Sequence, residues 1–337
     1  MDIYDSAFAV QNTESRTYGR ILLQTKMKYE GEDMLRSDVL PLVLGTAHFG
    51  TNIPRDVSFE IMDTYLSCGG NVLDTAAVYG MGVSEQTIGD WLKSRRSRSK
   101  VIISTKGGHP SLPDWKKRIS EADVRSDIES SLRYLGTDYV DTYFLHRDDE
   151  DMPVEVIMPV LDRLVREGKT RSIGASNWKV SRINEANAFA RANGMTEFAV
   201  SQIYWCGAII NADGVQDKTL VLMDDAEHAG YAENGIPVMA YTSQAKGFFS
   251  VAREKGYDEL SERMKNTYVN DATKARAERI FAVADETGIS PTAVSLAYLL
   301  YDKDVNAYPI LGTSRPERVL EAVRVFDLNK EHIKKLL

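Results

Sequence analysis

Four residues carry side chains that together could pass a proton to a carbonyl oxygen: Asp74, Tyr79, Lys106 and His146. They fall in Asp74-Thr75-Ala76-Ala77-Val78-Tyr79-Gly80, Thr105-Lys106-Gly107-Gly108 and His146-Arg147-Asp148-Asp149, each segment closing a short apolar run. An ammonium buried beside a phenol favours the phenolate and lowers the tyrosine pKa from about 10. A nearby carboxylate would keep that ammonium charged and in place. Such a tyrosine can give a proton to a carbonyl oxygen as hydride arrives, or take one in the reverse direction. A histidine beside it can orient the carbonyl and donate a hydrogen bond to the developing negative charge. Each residue alone has a plainer explanation: Asp74 as a helix N-cap, Tyr79 as a rim aromatic, Lys106 as a solvated strand end, His146 as a satisfied core histidine. Their recurrence at successive strand ends sets them apart from those explanations. Ser176-Asn177-Trp178, Ser201-Gln202 and Tyr204-Trp205 add polar and aromatic groups at two further strand ends.

The elements that must position these groups alternate along the chain. Short apolar runs at 39–45, 71–74, 101–105, 139–145, 171–174, 198–203, 237–241 and 307–311 predict strands. Amphipathic stretches at 57–68, 123–135, 154–166, 180–193, 219–233, 291–301 and 318–325 predict helices between or after them. Strands separated by helices pair in parallel, because a parallel crossover needs a dozen or more residues. No G-x-G-x-x-G turn follows the first strand, which argues against an open dinucleotide-binding sheet. The expected fold is therefore α/β, a (β/α)₈ TIM barrel, whose functional groups gather at the C-terminal ends of the strands. A single domain over 1–337 is expected. Residues 1–38 form an N-terminal extension with two possible short strands at 20–24 and 26–29. Residues 243–269 form a long connection after the seventh strand, and 329–337 a short terminal helix.

At 43% hydrophobic and 27% charged, the composition suits a globular chain with a sizeable core. The net charge of −8 and scattered basic residues argue against a nucleic-acid partner. The one basic run, at 93–100, reads as the solvated end of a helix. Cys68 and Cys206 lack disulfide or metal spacing, and five histidines are too few and too dispersed for a converging metal set. No metal is expected. The N-terminus has no leader pattern and no run approaches a membrane span, so the expected location is cytoplasmic.

In order along the chain, LGTAHFG (44–50), NVLDTAAVYG (71–80), STKGG (104–108), YFLHRDD (143–149), GASNW (174–178), SQIYW (201–205), VMAYTSQAKGFF (238–249) and PILGTSRPERVLEA (309–322) resemble the aldo-keto reductase superfamily. The resemblance runs from about residue 40 to 325. It implies a hairpin closing the barrel bottom, a catalytic tetrad of Asp74, Tyr79, Lys106 and His146, and an NAD(P)(H)-dependent oxidoreductase interconverting a carbonyl (aldehyde, ketone or sugar-derived) and an alcohol by hydride transfer, as monomer or homo-oligomer. Ser176, Asn177 and Gln202 would hold the nicotinamide carboxamide, with Trp205, or its rival Tyr204, against the ring. Tyr241, Thr242, Gln244 and Ala245 would meet the diphosphate, although Thr242-Ser243-Gln244 departs from the usual Tyr-Ser-Pro-Leu. Gly312, Thr313, Ser314, Arg318 and Glu321 would meet the adenosine end, and Gly45 and Thr46 complete the cofactor set. Arg318 suits the 2′-phosphate of NADP, so NADP(H) is favoured over NAD(H). Gly312 and Ala322 stand where a lysine and an asparagine are common. The expected substrate wall is aromatic: Phe49, Tyr79, Trp115, Trp178 and Trp205, with His146. Arg147, Asp148 and Asp149 would add charge at the mouth for a polar, hydroxylated substrate, or form a rim ion-pair cluster. A dinucleotide-binding regulatory or redox-sensing subunit with slow turnover is the alternative.

Overall fold

The computed structural model describes residues 40–337 apart from Leu112, together with the backbone of Lys28–Tyr29 and Glu32–Asp33. Eight strands close into a barrel: β1 (Val43–Gly45), β2 (Val72–Asp74), β3 (Ile102–Gly107), β4 (Val140–Leu145), β5 (Thr170–Ser176), β6 (Phe198–Tyr204), β7 (Val238–Tyr241) and β8 (Ala307–Leu311). Neighbours in the chain are neighbours in the barrel, β8 pairs with β1, and every pairing is parallel. Lys28–Tyr29 pairs antiparallel with Glu32–Asp33. The expected strand at 20–24, and closure of the barrel bottom by this hairpin, lie outside the described residues. Among the described residues no helix is long and apolar enough to cross a membrane.

The pleat decides what the barrel holds. Successive side chains of a strand point to opposite faces. Val43, Val72, Phe144, Val200, Met239, Tyr308 and Ile310 form one buried cluster inside the barrel, while the alternate residues pack outward against the helices. Two residues beyond members of that cluster, on the same face, come Asp74, His146, Gln202 and Tyr241. Lys106 follows Ile102 in the same phase. Burial on both faces also explains why β4 reads as a near-continuous buried run and does not alternate. Phe144 lies opposite Gly174 in the register. A Cβ at Gly174 would stand 2.4 Å from the Phe144 ring, so the glycine makes room for that ring.

The helices are α1 (Arg55–Ser67), α2 (Val83–Arg95), α3 (Glu121–Leu135), α4 (Val154–Arg166), α5 (Val180–Ala192), α6 (Asp225–Asn234), α7 (Phe248–Lys255), α8 (Glu262–Tyr268), α9 (Asp271–Thr287), α10 (Pro291–Ser295), α11 (Ala297–Leu300), α12 (Pro316–Val323) and α13 (Lys330–Leu336). The body of α2, before its basic end, and the whole of α9 have no counterpart in the sequence pattern. The buried face of α2 contains Ser84, Glu85 and Thr87, and that of α9 is rich in small residues, so neither shows a continuous large-apolar stripe. The basic run does close α2, which ends at Arg95. The long connection at 243–269 contains α7 and α8. The helix expected at 219–233 begins only at Asp225, where the Asp224 side chain caps the Glu227 N–H.

Candidate active site

β2 and β3 bring Asp74 and Lys106 together at the top of the barrel. The Lys106 Nζ donates to Asp74 Oδ2 at 2.7 Å and to the Thr75 carbonyl at 2.8 Å, and reaches the Tyr79 hydroxyl at 3.5 Å. The other Asp74 oxygen accepts from Ser104 Oγ at 3.0 Å and Gln202 Nε2 at 2.9 Å. Tyr79 opens a tight turn in which Gly80 and Gly82 take left-handed φ of 57° and 89° before α2 begins. Its ring meets the His146 ring edge-on, with centroids 5.8 Å apart. All four residues expected to act together therefore meet.

Their charge states follow from burial. Lys106 is 1% exposed. Burial works against its ammonium, but Asp74 and then Tyr79 outweigh that and raise its pKa. Burial also raises the Tyr79 pKa above the usual tyrosine value, and the pull of Lys106 does not cancel it. The expected lowering of that pKa is thus reversed, because desolvation of a phenolate exceeds what one already-paired ammonium returns. Tyr79 is a protonated phenol at neutral pH. Burial, with Lys106 and Arg147 adding repulsion, holds His146 well below the usual imidazole value, so its ring is neutral. Its Nδ1 is buried without a hydrogen-bond partner, which fits a tautomer with the proton on Nε2.

These groups border a cavity of ≈ 1030 Å³, room for a dinucleotide together with a small substrate. Asp74, Tyr79 and His146 line it, as do Gly45 and Thr46 after β1 and Ser176, Asn177 and Gln202 after β5 and within β6. Tyr241, Thr242 and Gln244 line it after β7, and Gly312, Thr313, Ser314 and Arg318 after β8. Gln244 Oε1 accepts from the Gly312 N–H at 3.0 Å and so ties the last two loops together. Glu321 and Ala322 border a small adjoining hollow shared with Gln244 and Arg318. Ala245 is fully buried behind the wall.

The expected aromatic wall is largely in the core. Phe49 and Trp178 are 0% exposed, and Trp178 packs on Phe198 with centroids 5.2 Å apart. Trp205 lies one residue out of phase with Gln202, so it points outward and meets His228 of α6 edge-on at 6.0 Å. Tyr204 bonds through its hydroxyl to that of Tyr268. Neither Trp205 nor Tyr204 lines the cavity. Tyr241 does line it, beside Tyr79, and its hydroxyl donates to Asn177 Oδ1 at 2.6 Å. Trp115 is 47% exposed and lies 6.1 Å from His109, off the cavity wall.

Of the three charges after the tetrad histidine, only Arg147 faces the cavity. Asp148 pairs with Arg182, and Asp149 with Lys117. His48, Asn52, His109, Asp217, Lys246 and Arg263, none of them among the expected site residues, also line the cavity. His48 and Lys246 lie inside motifs quoted above, and His109 directly follows STKGG, so position offered a signal for them. Asp217 and Arg263 sit far from any strand end and offered none.

Residues 41–336 match the family model described as Aldo/keto reductase family. The chain belongs to that family. Among curated proteins, a norsolorinic acid reductase of Aspergillus flavus is 28% identical over 315 residues, which cover 88% of this chain and 77% of that protein. An aryl-alcohol dehydrogenase of Pestalotiopsis microspora is 28% identical over 303 residues, covering 86% and 75%. A putative aryl-alcohol dehydrogenase of Saccharomyces cerevisiae is 28% identical over 318 residues, covering 86% and 80%. This aldo/keto reductase is an oxidoreductase of carbonyl and alcohol groups, in a family that generally uses NAD(P)H.

Proposed function

We propose that this aldo/keto reductase interconverts an aldehyde or ketone and its alcohol with Tyr79 as proton donor and acceptor. The observation that carries this reading is the buried Lys106 ammonium, bonded to Asp74 and directed at the Tyr79 hydroxyl on the cavity wall. A dinucleotide held on this wall would supply or take up the hydride. Tyr79 holds its proton until negative charge grows on the carbonyl oxygen, and the fixed ammonium then stabilises the phenolate left behind. His146, neutral, donates from Nε2 to the same oxygen and sets its direction. Asp74 keeps Lys106 charged where burial alone would discharge it.

The wall fits a dinucleotide. Ser176 and Gln202 offer a hydroxyl and an amide to a carboxamide beside Asn177, whose own amide is bonded to the His146 carbonyl, Ser176 Oγ, the Val221 N–H and the Tyr241 hydroxyl, and Tyr241 is the ring placed to stack on the nicotinamide. Thr242, Gln244, Gly312, Thr313 and Ser314 offer small polar contacts to phosphate and ribose, with Glu321 beside them. NADP(H) is the favoured form. Arg318 pairs with Glu321 at 2.7 Å, but the pair is an exposed i,i+3 contact, worth at most about 1 kcal/mol, so a phosphate can draw the guanidinium away. Lys246 and Arg263 add positive charge to the same wall, and among the described residues neither pairs with a carboxylate. Following absorbance of the reduced cofactor with a panel of aldehydes and ketones, and with NADPH and NADH in parallel, tests the reading. Oxidation of NADPH that depends on the carbonyl is expected. No oxidation of either cofactor with any carbonyl would overturn it.

A further inference from the structure

Tyr79 stands on an irregular stretch of the barrel top. β3 holds the chain after β2 as far as Ala77, whose N–H donates to the Lys106 carbonyl at 3.1 Å. Then Gly80, Met81 and Gly82 take left-handed φ of 57°, 54° and 89° in succession, which is costly for Met81. The turn's own backbone bonds, from Tyr79 N–H to Ala76 and from Met81 N–H to Val78, are local. Such a turn keeps one shape only where its surroundings over-determine it. On its far side those surroundings are Ser84 and Glu85 in the first turn of α2, both fully buried.

Ser84 ties that turn to β1 and β2. Its Oγ donates to the Thr46 carbonyl at 2.8 Å and lies 3.0 Å from the hydroxyls of Thr46 and Thr75. Glu85 ties it to β3. Its Oε1 accepts from Thr105 Oγ1 at 2.5 Å. Thr105 immediately precedes Lys106 in β3, so the two side chains leave the strand on opposite faces. The other carboxyl oxygen, Oε2, is buried without a hydrogen-bond partner, as is the Ser131 hydroxyl of α3. Burial raises the Glu85 pKa and Asp127 of α3 adds repulsion, which Thr105, Ser131 and Lys106 only partly offset. The three N–H groups of the Lys106 ammonium face Asp74, Thr75 and Tyr79, so none is left for Glu85. A leucine would fill the same space without taking a carboxyl out of water. Packing therefore does not account for the acid; what it supplies is an acceptor opposite Thr105.

We infer that Glu85 is a positioning residue: bonded to Thr105, it fixes the start of α2 against β3 and so holds the Tyr79 hydroxyl at the Lys106 ammonium. This rests on the reading of Tyr79 as the proton donor to a carbonyl. Thr105 and Lys106 are adjacent in one strand, and Tyr79 and Glu85 flank one turn. Their bond therefore closes a ring from ammonium through strand, carboxyl and helix start back to the phenol. A displacement of about 1 Å at a reacting group costs about 10²-fold in rate.

The test measures kcat, KM and the NADPH Kd with whichever carbonyl of the panel above the parent chain reduces fastest. Glu85→Leu should lower kcat by about ten- to a hundredfold while KM and Kd stay within about twofold, since only alignment is lost. Thr105→Val should lower kcat likewise, and the double variant should be no slower than Glu85→Leu, because the two residues share one bond. Glu85→Gln keeps an acceptor at Oε1, so it should retain most of the parent kcat and the parent pH profile of kcat/KM. A folded Glu85→Leu with the parent kcat overturns the inference, as do additive effects in the double variant. Glu85→Gln as slow as Glu85→Leu overturns it too, by assigning the effect to charge. If the melting curve shows that Glu85→Leu does not fold, Thr105→Val decides, and the parent kcat there overturns the inference. If Tyr79→Phe turns over at the parent rate, the proton-donor reading fails instead and the inference falls with it.

Discussion

Tyr79 sits between opposed influences: burial keeps its proton on, and Lys106 prepares the place where the phenolate will need support. A general acid is worth about 10²- to 10⁴-fold in rate. Tyr79→Phe keeps the ring and deletes the proton, so turnover should fall by at least about 10²-fold while the dinucleotide Kd, read from tryptophan quenching, stays near the parent value. Near-normal turnover would remove Tyr79 from the role proposed for it. Lys106→Met should nearly abolish turnover and shift the ionisation of Tyr79 to still higher pH, since the charge that lowers its pKa is gone and the burial that raises it remains. The pH profile of residual kcat/KM reads that shift; a profile unmoved from the parent would show that Lys106 does not act on the phenol. The variant also leaves Asp74 buried without its cation, so its melting temperature should drop.

The elements around the site carry their own constraints. The segment after β7 turns tightly enough that Thr242, Ala245 and Lys246 take φ of 55°, 46° and 54°, a conformation costly for residues other than glycine. That turn presents Lys246 to the cavity. Lys246→Met should weaken NADP(H) and NAD(H) alike, by about tenfold, if the lysine meets the diphosphate that both share. Arg318→Ala should instead weaken NADP(H) by about ten- to a hundredfold and leave NAD(H) almost unchanged, because only NADP carries the 2′-phosphate. Equal effects of Arg318→Ala on the two cofactors would remove the preference for NADP(H). Elsewhere, α2 packs closely on α3 through Gly89. A Cβ there would stand 2.5 Å from the Tyr134 carbonyl oxygen and 2.9 Å from that of Leu135. Backbone atoms cannot rotate away, so Gly89→Ala should cost about 1–3 kcal/mol by overpacking, seen as a lower urea midpoint.

Across the whole molecule, the two neutral histidines link stability to acidity. His146 is surrounded by Lys106, Arg147 and His109, and His109 by Arg147, Asp217 and Arg118, and both pKa values are lowered in the fold. In the unfolded chain they return to about 6.5. The stabilisation from keeping them neutral is therefore present above that value and is lost as pH falls through the folded values, because only the unfolded chain takes up the protons. The melting temperature should fall between pH 7 and pH 5.5, and less steeply when both His109 and His146 are replaced by Gln. Equal slopes in the two proteins would assign the acid sensitivity to other groups.

The alternation of apolar runs with amphipathic stretches was enough to read the barrel, because each strand is buried on both faces and each crossover helix must cover it. The tetrad was legible for a related reason. Asp74, Lys106 and His146 close apolar runs, and the pleat carries their side chains to the barrel face that opens at the top, while Tyr79 follows Asp74 in the turn after β2. The body of α2 and the whole of α9 were not legible, since polar and small residues pack their buried faces without an apolar stripe. Nor did the residue types tell which aromatics face the substrate. Trp205 and Tyr241 both look suited to stack on a ring, but one residue of phase sends Trp205 outward to His228 and leaves Tyr241 on the wall. The pairing of Asp148 with Arg182 and of Arg147 with Asp217 joins residues 34 and 70 positions apart. The rise in the Tyr79 pKa depends on how much water the folded walls remove. Local pattern determines which side chains stand at strand ends; phase, long-range pairing and desolvation exist only once the barrel has closed.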